Sequence, residues 1–367
     1  MTLNQSGNSE FRGTVSTVSG AGALTKNGAG DLALYNANTY SGGTVLNAGR
    51  LLLANNAALG TGTITINGEH IRAHEAERTL SNPLALNGSF VLGQLTNFTG
   101  NATLVNNITI TSFDATTNAS VLSGVISGNG FGITKSGAGV LTLSGNSTYT
   151  GTTTVSAGRL NITSGSNATS GYSVAQGATP DMGGFGIPGG KSLSVNGTLQ
   201  NMGTGAFTVA SGATLSGTGA VPVSVSNTSG IVSPGNSAGT LTINGNYAQS
   251  GTGVLNIEIA SLSSFDVLAI NGSATLGGTL NISFASGFPN AFPATFDFLT
   301  TTGNLTGFFQ NVNLVGSLPS GATGYSVRQS ANGNGQRLTL VVVPEANAGL
   351  LALLAAPLLV GVFRKRK

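Results

Sequence analysis

Cysteine and tryptophan are absent from this 367-residue chain, and only two histidines occur. A disulfide framework, a thiolate zinc site and a cysteine nucleophile are therefore excluded. Charge is also scarce, because Asp, Glu, Lys and Arg make up only 7% of the chain, against roughly 25% in an average soluble protein. The lack of cysteine suits an extracellular location without requiring one.

The small positive net charge of +3 comes from one end of the chain. The last four residues are all basic: Arg364, Lys365, Arg366 and Lys367. Without them the chain is nearly neutral, so it lacks the clustered Lys and Arg that would neutralise nucleic-acid phosphates. We therefore expect no nucleic-acid partner.

Glycine is abundant, with 57 residues, and between the glycines lie short segments in which apolar and small polar residues alternate. Clear examples are residues 63–66, 107–110, 140–143, 239–243 and 253–259. A period of two is typical of a β-strand with one buried face. Asn-Gly pairs such as Asn67-Gly68 follow many of these segments and favour turns. The sequence therefore predicts an all-β fold.

One segment of the chain occurs twice. Residues 26–51 and 135–160 align without a gap at an offset of 109 residues, with matching Lys, Gly-x-Gly, Thr-Tyr-x-Gly and Ala-Gly-Arg-Leu positions. Weaker echoes lie at 209–215 and 270–276. Repeated strand–turn units indicate a solenoid, in which each coil buries its apolar side against its neighbours. The alternative is a Gly- and Thr-rich β-sandwich. With rungs of roughly 20 residues spaced about 4.8 Å apart, a solenoid body would be a rod on the order of 75 Å long.

The two copies, LTKNGAGDLALYNANTYSGGTVLNAGRL and ITKSGAGVLTLSGNSTYTGTTTVSAGRL, resemble autotransporter-associated β-strand repeats. Such repeats occur in the passenger regions of Gram-negative autotransporters. Residues 233–259 and 265–283 are similar to the segment that usually follows them. The resemblance implies a right-handed parallel β-helix. We assign the body to residues 1–232, with repeat copies near 18–53 and 126–162, and a C-terminal β-helix or β-rich cap to 233–343.

The C-terminus differs from the body. Residues 346–363 are uncharged and mostly apolar, and as a helix they would span about 27 Å, just enough for a hydrocarbon core of roughly 30 Å. A buried core helix is the alternative, but a run that is apolar on all faces and ends in four bases favours a membrane segment. We therefore predict a single C-terminal hydrophobic helix after the β-helix.

The layout of residues 344–367 resembles the PEP-CTERM sorting signal. Pro344 and Glu345 match the motif, the apolar span follows, and the basic tail completes it, although Ala346 stands where that family has proline. The resemblance implies cleavage by a membrane-bound exosortase-like enzyme and release to the cell exterior. The basic tail should stay cytoplasmic, which places the body across the membrane. Residues 1–10 are not a signal peptide, so we expect the native start to lie upstream.

Residues 69–78 form a dense polar cluster that contains both histidines. On a helix, His70 and His74 would share a face and could hold a metal ion with Glu69 or Glu75. The zinc-protease pattern, however, needs Glu directly after the first His. We favour a solvated loop or short turn and predict no metal site.

Polysaccharide-cleaving β-helices need acidic residues that converge on neighbouring rungs. The aspartates are far apart in this sequence: Asp31, Asp114, Asp181, Asp266 and Asp297. Glu258 and Asp266 are the nearest acidic pair of this kind, with Glu258 inside a predicted strand and Asp266 at the start of the next. We predict no catalytic residue and no cofactor.

These observations favour an exported structural or adhesion-type protein of the cell surface or extracellular matrix. Its expected partners are an exosortase-like enzyme, exopolysaccharide or other surface rods, and the membrane through the C-terminal helix before processing. Three alternatives stay open: a polysaccharide-active β-helix enzyme, a passenger fragment of an autotransporter adhesin, and a permanently membrane-anchored rod.

Overall fold

The computed structural model divides the chain into two compact units, Met1–Pro188 and Gly189–Lys367. It describes residues 1–4, 7–11, 22–113, 119–163, 169–180, 191–200, 202, 205–289, 291–344 and 359–363. Within these residues the regular structure consists of β-strands, and no α-helix occurs.

Unit 1 is built from short strands. They are β1 (Thr2–Asn4), β2 (Ser9–Phe11), β3 (Leu24–Asn27), β4 (Asp31–Leu34), β5 (Thr44–Leu46), β6 (Arg50–Leu53), β7 (Ile64–Ile66), β8 (His70–Ala73), β9 (Arg78–Leu80), β10 (Leu84–Leu86), β11 (Phe90–Leu92), β12 (Thr96–Phe98), β13 (Ala102–Leu104), β14 (Ile108–Thr111), β15 (Ser120–Leu122), β16 (Ile126–Ser127), β17 (Ile133–Ser136), β18 (Val140–Leu143), β19 (Thr153–Val155), β20 (Arg159–Ile162) and β21 (Gly171–Val174).

Unit 2 contains both short and long strands. They are β22 (Ser192–Val195), β23 (Phe207–Val209), β24 (Thr214–Gly217), β25 (Ala220–Val221), β26 (Val225–Asn227), β27 (Ile231–Pro234), β28 (Thr240–Ile243), β29 (Tyr247–Gln249), β30 (Val254–Ile259), β31 (Val267–Ile270), β32 (Ala274–Leu276), β33 (Thr279–Phe284), β34 (Ala294–Thr301), β35 (Leu305–Gly307), β36 (Asn311–Val315), β37 (Ala322–Asn332), β38 (Gly335–Pro344) and β39 (Leu359–Phe363).

Unit 1 is a parallel β-solenoid. Its strands form three stacks, in the orders β1-β3-β5-β7-β10-β13-β16, β2-β4-β6-β8-β11-β14-β17-β19-β21 and β9-β12-β15-β18-β20. Neighbouring strands in a stack come from successive coils of the chain, and they pair in parallel. The prediction of an all-β parallel solenoid is confirmed, and the β-sandwich alternative is wrong.

The core of unit 1 comes from the two-residue alternation. Leu32, Leu51 and Ile71 are in register on β4, β6 and β8 and are at most 2% exposed. Each such aliphatic side chain contributes about 1.5–3 kcal/mol by leaving water. Because each coil stacks its inward side chains on those of the next, the core is continuous along the unit.

Unit 2 begins as a solenoid and ends in a hairpin. Two stacks, β22-β24-β27-β30-β33-β36 and β23-β26-β29-β32-β35, are parallel. The third runs β25-β28-β31-β34-β38-β37-β39 and changes from parallel to antiparallel pairing at β34. The β37–β38 hairpin thus covers the edge that β34 would otherwise expose. The boundary predicted between the body and the C-terminal cap, at residue 233, lies within β27. That boundary stays a prediction.

The C-terminal helix predicted for residues 346–363 is wrong where the structure describes it. Residues 359–363 form β39, which pairs antiparallel with β37 and sets Phe363 opposite Tyr325. Leu-Val-Gly-Val-Phe is rich in residues that favour strands, and a short apolar run does not by its pattern distinguish helix from strand. Residues 346–358 lie outside the described part. Among the described residues, no helix reaches the length and apolarity needed to cross a membrane.

Candidate binding groove

The lysine of the first repeat copy is fully buried and holds two coils together. Lys26 Nζ donates to the backbone oxygens of Asn27 at 2.8 Å, Gly28 at 2.6 Å and Ala48 at 3.0 Å. All three ammonium donors are therefore satisfied. Burial lowers the pKa of Lys26, while nearby Asp31 acts in the opposite direction. Because Ala48 belongs to the next coil, this lysine joins consecutive coils at a corner.

The second copy repeats the same arrangement. Lys135 Nζ donates to the backbone oxygens of Ser136 at 2.7 Å, Gly137 at 2.8 Å and Ala157 at 3.2 Å. Burial lowers the pKa of Lys135 to about 8. The repeat alignment found both lysines but assigned them no role, because sequence does not reveal which carbonyls a turn directs inward.

The tyrosine of the Thr-Tyr-x-Gly motif also faces the interior. Tyr40 forms a 2.6 Å hydrogen bond with Thr44 Oγ1, and Tyr149 forms one of the same length with Thr153 Oγ1. Both tyrosines are fully buried. The matched lysine and tyrosine positions of the repeat therefore belong to the core and not to an exposed binding surface.

The polar cluster at residues 69–78 does not assemble into a metal site. His70 begins strand β8, so the loop interpretation is wrong for residues 70–73. Burial, with help from nearby Arg50, lowers the pKa of His70 to about 4. His74 Nε2 lies 3.0 Å from Tyr35 Oη and 3.3 Å from Glu75 Oε1. Within the described part of the chain, no three potential metal ligands are grouped.

Glu258 and Asp266, by contrast, are brought together in unit 2. Glu258 lies on β30, and Asp266 directly precedes β31, as expected from the sequence. The backbone N–H of Asp266 donates to the carbonyl of Glu258 at 2.8 Å, and the backbone N–H of Glu258 donates to Asp266 Oδ2 at 2.8 Å. Both residues line one groove of about 800 Å³.

The groove lies on the outward side of unit 2 and is mainly polar. It is lined by Ser216, Ser233, Pro234, Gly235, Asn236, Ser237, Asn256, Ile257, Glu258, Asp266, Asn281, Ser283 and Val315. Its floor is formed by β24, β27, β30, β33 and β36, and the loop after β27 contributes to its wall.

Asp266 fixes this wall. It is only 2% exposed, and its Oδ1 accepts a hydrogen bond from the backbone N–H of Gly239 at 3.1 Å. Burial raises the pKa of Asp266 to about 7, against the effect of its two backbone donors and with a contribution from Glu258. Gly235 has a φ of +84°, and a Cβ there would lie 2.4 Å from Asp266 Oδ1. Only glycine fits this turn.

The remaining predicted residues are dispersed. Pro344 ends β38, and its carbonyl accepts a hydrogen bond from Thr323 Oγ1 at 2.8 Å. Two aspartates form ion pairs, Asp31 with Arg50 and Asp297 with Arg337. Asp114, Asp181, Glu345, Arg364, Lys365, Arg366 and Lys367 lie outside the described residues.

Two stretches of the chain match the passenger-associated-transport-repeat family. They are residues 24–53 and 133–162, which run from the first residue of β3 to the last of β6 and from the first of β17 to the last of β20. The family match thus covers two equivalent pairs of coils, the same pairs that contain the buried lysines.

Two known proteins are similar to parts of the chain. Adhesin BmaC autotransporter of Brucella suis biovar 1 (strain 1330) is 33% identical over 144 residues, which are 39% of this chain and 4% of that protein. Extracellular serine protease of Serratia marcescens is 31% identical over 196 residues, 51% of this chain and 15% of that protein. The chain thus spans only a small part of the length of either relative.

Proposed function

We propose that this chain is a passenger-type structural or adhesion protein, exported from a Gram-negative bacterium and exposed at its surface or in its matrix. The observation that carries this proposal is the pair of passenger-associated transport repeats, folded into solenoid coils with matching buried lysines. The names of the two relatives, an adhesin autotransporter and an extracellular protease, support export.

The outer surface of unit 1 suits a weak, multivalent partner. Asn47 Nδ2 donates to Asn27 Oδ1 at 2.8 Å, Asn67 to Asn47 at 2.6 Å, and Asn87 to Asn67 at 2.9 Å. Such a ladder presents amide groups at the inter-coil spacing of about 4.8 Å. Regularly repeated hydrogen-bonding groups favour avidity over single-site affinity. Exopolysaccharide and other surface rods are the partners we propose.

We further propose that Pro344, Glu345 and the basic tail Arg364–Lys367 form a sorting signal read by an exosortase-like enzyme. The motif layout supports this, whereas the pairing of β39 with β37 offers a rival role for residues 359–363 as part of the sheet. Intact mass and cell fractionation decide between them. We expect an extracellular form that ends near Pro344. A full-length protein in the cell-associated fraction would contradict the sorting proposal.

A polysaccharide-active enzyme is the second candidate, and the shared groove of Glu258 and Asp266 favours it. Glycoside cleavage needs two carboxyl groups that reach the scissile bond. Asp266 is buried with both oxygens accepting backbone hydrogen bonds, so it is poorly placed to transfer a proton to a ligand. We therefore propose binding without cleavage. New reducing ends released from soluble polysaccharides by the purified chain, and lost in Glu258→Gln, would overturn this.

A further inference from the structure

We propose that the groove of unit 2 binds a neutral saccharide chain through serine hydroxyls, asparagine amides and the Glu258 carboxylate. The idea rests on the proposed surface function for its biological setting, because a surface protein meets glycans. Its physical basis lies in the groove itself, where the strand register aligns polar side chains and several of them keep unused donors and acceptors.

The floor of the groove contains two columns of outward side chains. In the first, Ser216 pairs with Ser233, and Asn256 pairs with Asn281. Val232 pairs with Leu255, so the residues that follow them, Ser233 and Asn256, are also in register. The two pairs therefore lie in one line across β27 and β30. Consecutive strands are about 4.8 Å apart, so the five floor strands extend over roughly 19 Å. This length suits a chain of several sugar rings rather than a single sugar.

The second column carries the charge of the site. Glu258 pairs in register with Ser283, which pairs with Val315 on β36. The Glu258 carboxylate is half-buried and has no side-chain hydrogen bond or ion pair among the described residues. A carboxylate accepts hydrogen bonds from sugar hydroxyls, but it repels acidic sugars. The site therefore favours a neutral chain.

The serines of the groove are unused by the fold. Within the described residues, the hydroxyls of Ser216, Ser233 and Ser283 make no hydrogen bond, although each residue is half-buried. Asn256 uses its Oδ1 to accept a 3.0 Å bond from Asn281, and its own amide N–H groups are left for a ligand. Half-buried hydroxyls and amides that can both donate and accept match a polyhydroxylated ligand.

The wall of the groove is held by hydrogen bonds, which favours recognition of a ligand. Asp266 ties Gly239 and Glu258 through their backbone N–H groups, and Asn236 donates to Asn196 Oδ1 at 2.8 Å. A pre-formed wall lowers the entropic cost of binding.

The test measures binding of the purified full-length chain to three neutral oligosaccharides, maltoheptaose, cellohexaose and laminarihexaose, with hexagalacturonate as the acidic probe. We expect at least one neutral probe to bind, and to bind at least about tenfold more tightly than hexagalacturonate. The triple variant Ser216→Val, Ser233→Val, Ser283→Val should weaken that binding at least about tenfold. Valine suits a strand, so the fold should be retained, and circular dichroism checks this.

The matched control is Thr208→Val with Ser226→Val, a neighbouring outward pair on β23 and β26 of the same unit. It should leave saccharide binding unchanged. No binding of any neutral probe, or equal loss in the groove variant and this control, would overturn the proposal. Export is measured on cells and binding on purified protein, so the groove proposal and the proposed function can fail separately.

Discussion

Each unit buries ionisable side chains, and the two units satisfy them with opposite kinds of backbone group. In unit 1, Lys26 and Lys135 are cations that collect three backbone carbonyls each, from two consecutive coils. In unit 2, the buried Asp266 carboxyl group accepts hydrogen bonds from two backbone N–H groups. A buried charge is tolerated only when its hydrogen-bonding capacity is met, and the backbone supplies both kinds of partner.

The difference separates buried ionisable groups that stabilise the fold from one that shapes a surface groove. The lysine occurs once per repeat copy, lies in the core and is matched in both, so it belongs to the coil design. Asp266 has no counterpart in the repeat and holds the wall of the groove. Substitution of the lysines should therefore change stability alone, whereas substitution of Asp266 should change both stability and the groove.

The largest loss of stability expected from a substitution at fixed pH is at the lysines. Lys26→Met or Lys135→Met leaves three carbonyls without their cation, and each should lower the free energy of unfolding by about 3 kcal/mol. Because the two sites have the same geometry, the losses should be similar. Chemical denaturation measures them, and each copy is the control for the other. A loss below about 1 kcal/mol at both sites would contradict a structural role.

The buried carboxyl group of Asp266 should make the free energy of unfolding depend on pH. With its pKa raised from 3.8 to about 7, folded Asp266 binds more protons than unfolded Asp266 between these values. The free energy of unfolding therefore falls as pH rises through this window, by at most about 1.4 kcal/mol per pH unit from this group.

Asp266→Asn should remove this slope in denaturation measured from pH 4 to 7. Asp31→Asn is the matched control. The hydrogen bond from Arg50 lowers the pKa of Asp31, so its contribution lies at lower pH and is lost as pH falls. An unchanged slope in Asp266→Asn would show that Asp266 does not titrate in this range.

A smaller effect is expected from the buried tyrosines. Tyr40→Phe and Tyr149→Phe keep the ring and remove one hydrogen bond to Thr44 or Thr153, at a cost of about 1 kcal/mol each. The two losses should again agree. Thermal unfolding of both variants measures them, and a loss at one site alone would break the equivalence of the copies.

The smallest effect separates the two copies. Asp31 and Arg50 form an ion pair in the first copy, whereas Val140 stands opposite Arg159 in the second. A double-mutant cycle at Asp31 and Arg50 should give about 0.5–1 kcal/mol of coupling, reduced by high salt. The cycle at Val140 and Arg159 should lack the salt dependence. Equal salt dependence at both would contradict the ion pair.

Much of the fold could be predicted because its signals are local. The alternation at residues 140–143 predicts β18 with its observed bounds, and the repeat predicts stacked coils. The groove could not be derived in this way, because Ser216, Asn256 and Ser283 meet only through the register of separate coils. The sequence identifies Glu258 and Asp266 as a pair. It does not predict that Asp266 is buried or that its oxygens accept backbone hydrogen bonds. The helix prediction is wrong at residues 359–363, because apolarity alone does not distinguish a helix from a strand.

The most direct test of surface exposure uses the absence of cysteine. Thr252→Cys places one thiol at an exposed turn of unit 2, and Leu51→Cys places one in the fully buried core of unit 1. Intact native cells are treated with a membrane-impermeant maleimide. We predict labelling of Thr252→Cys on intact cells and of Leu51→Cys only after denaturation. Labelling of Thr252→Cys only after the cells are lysed would contradict a surface-exposed solenoid.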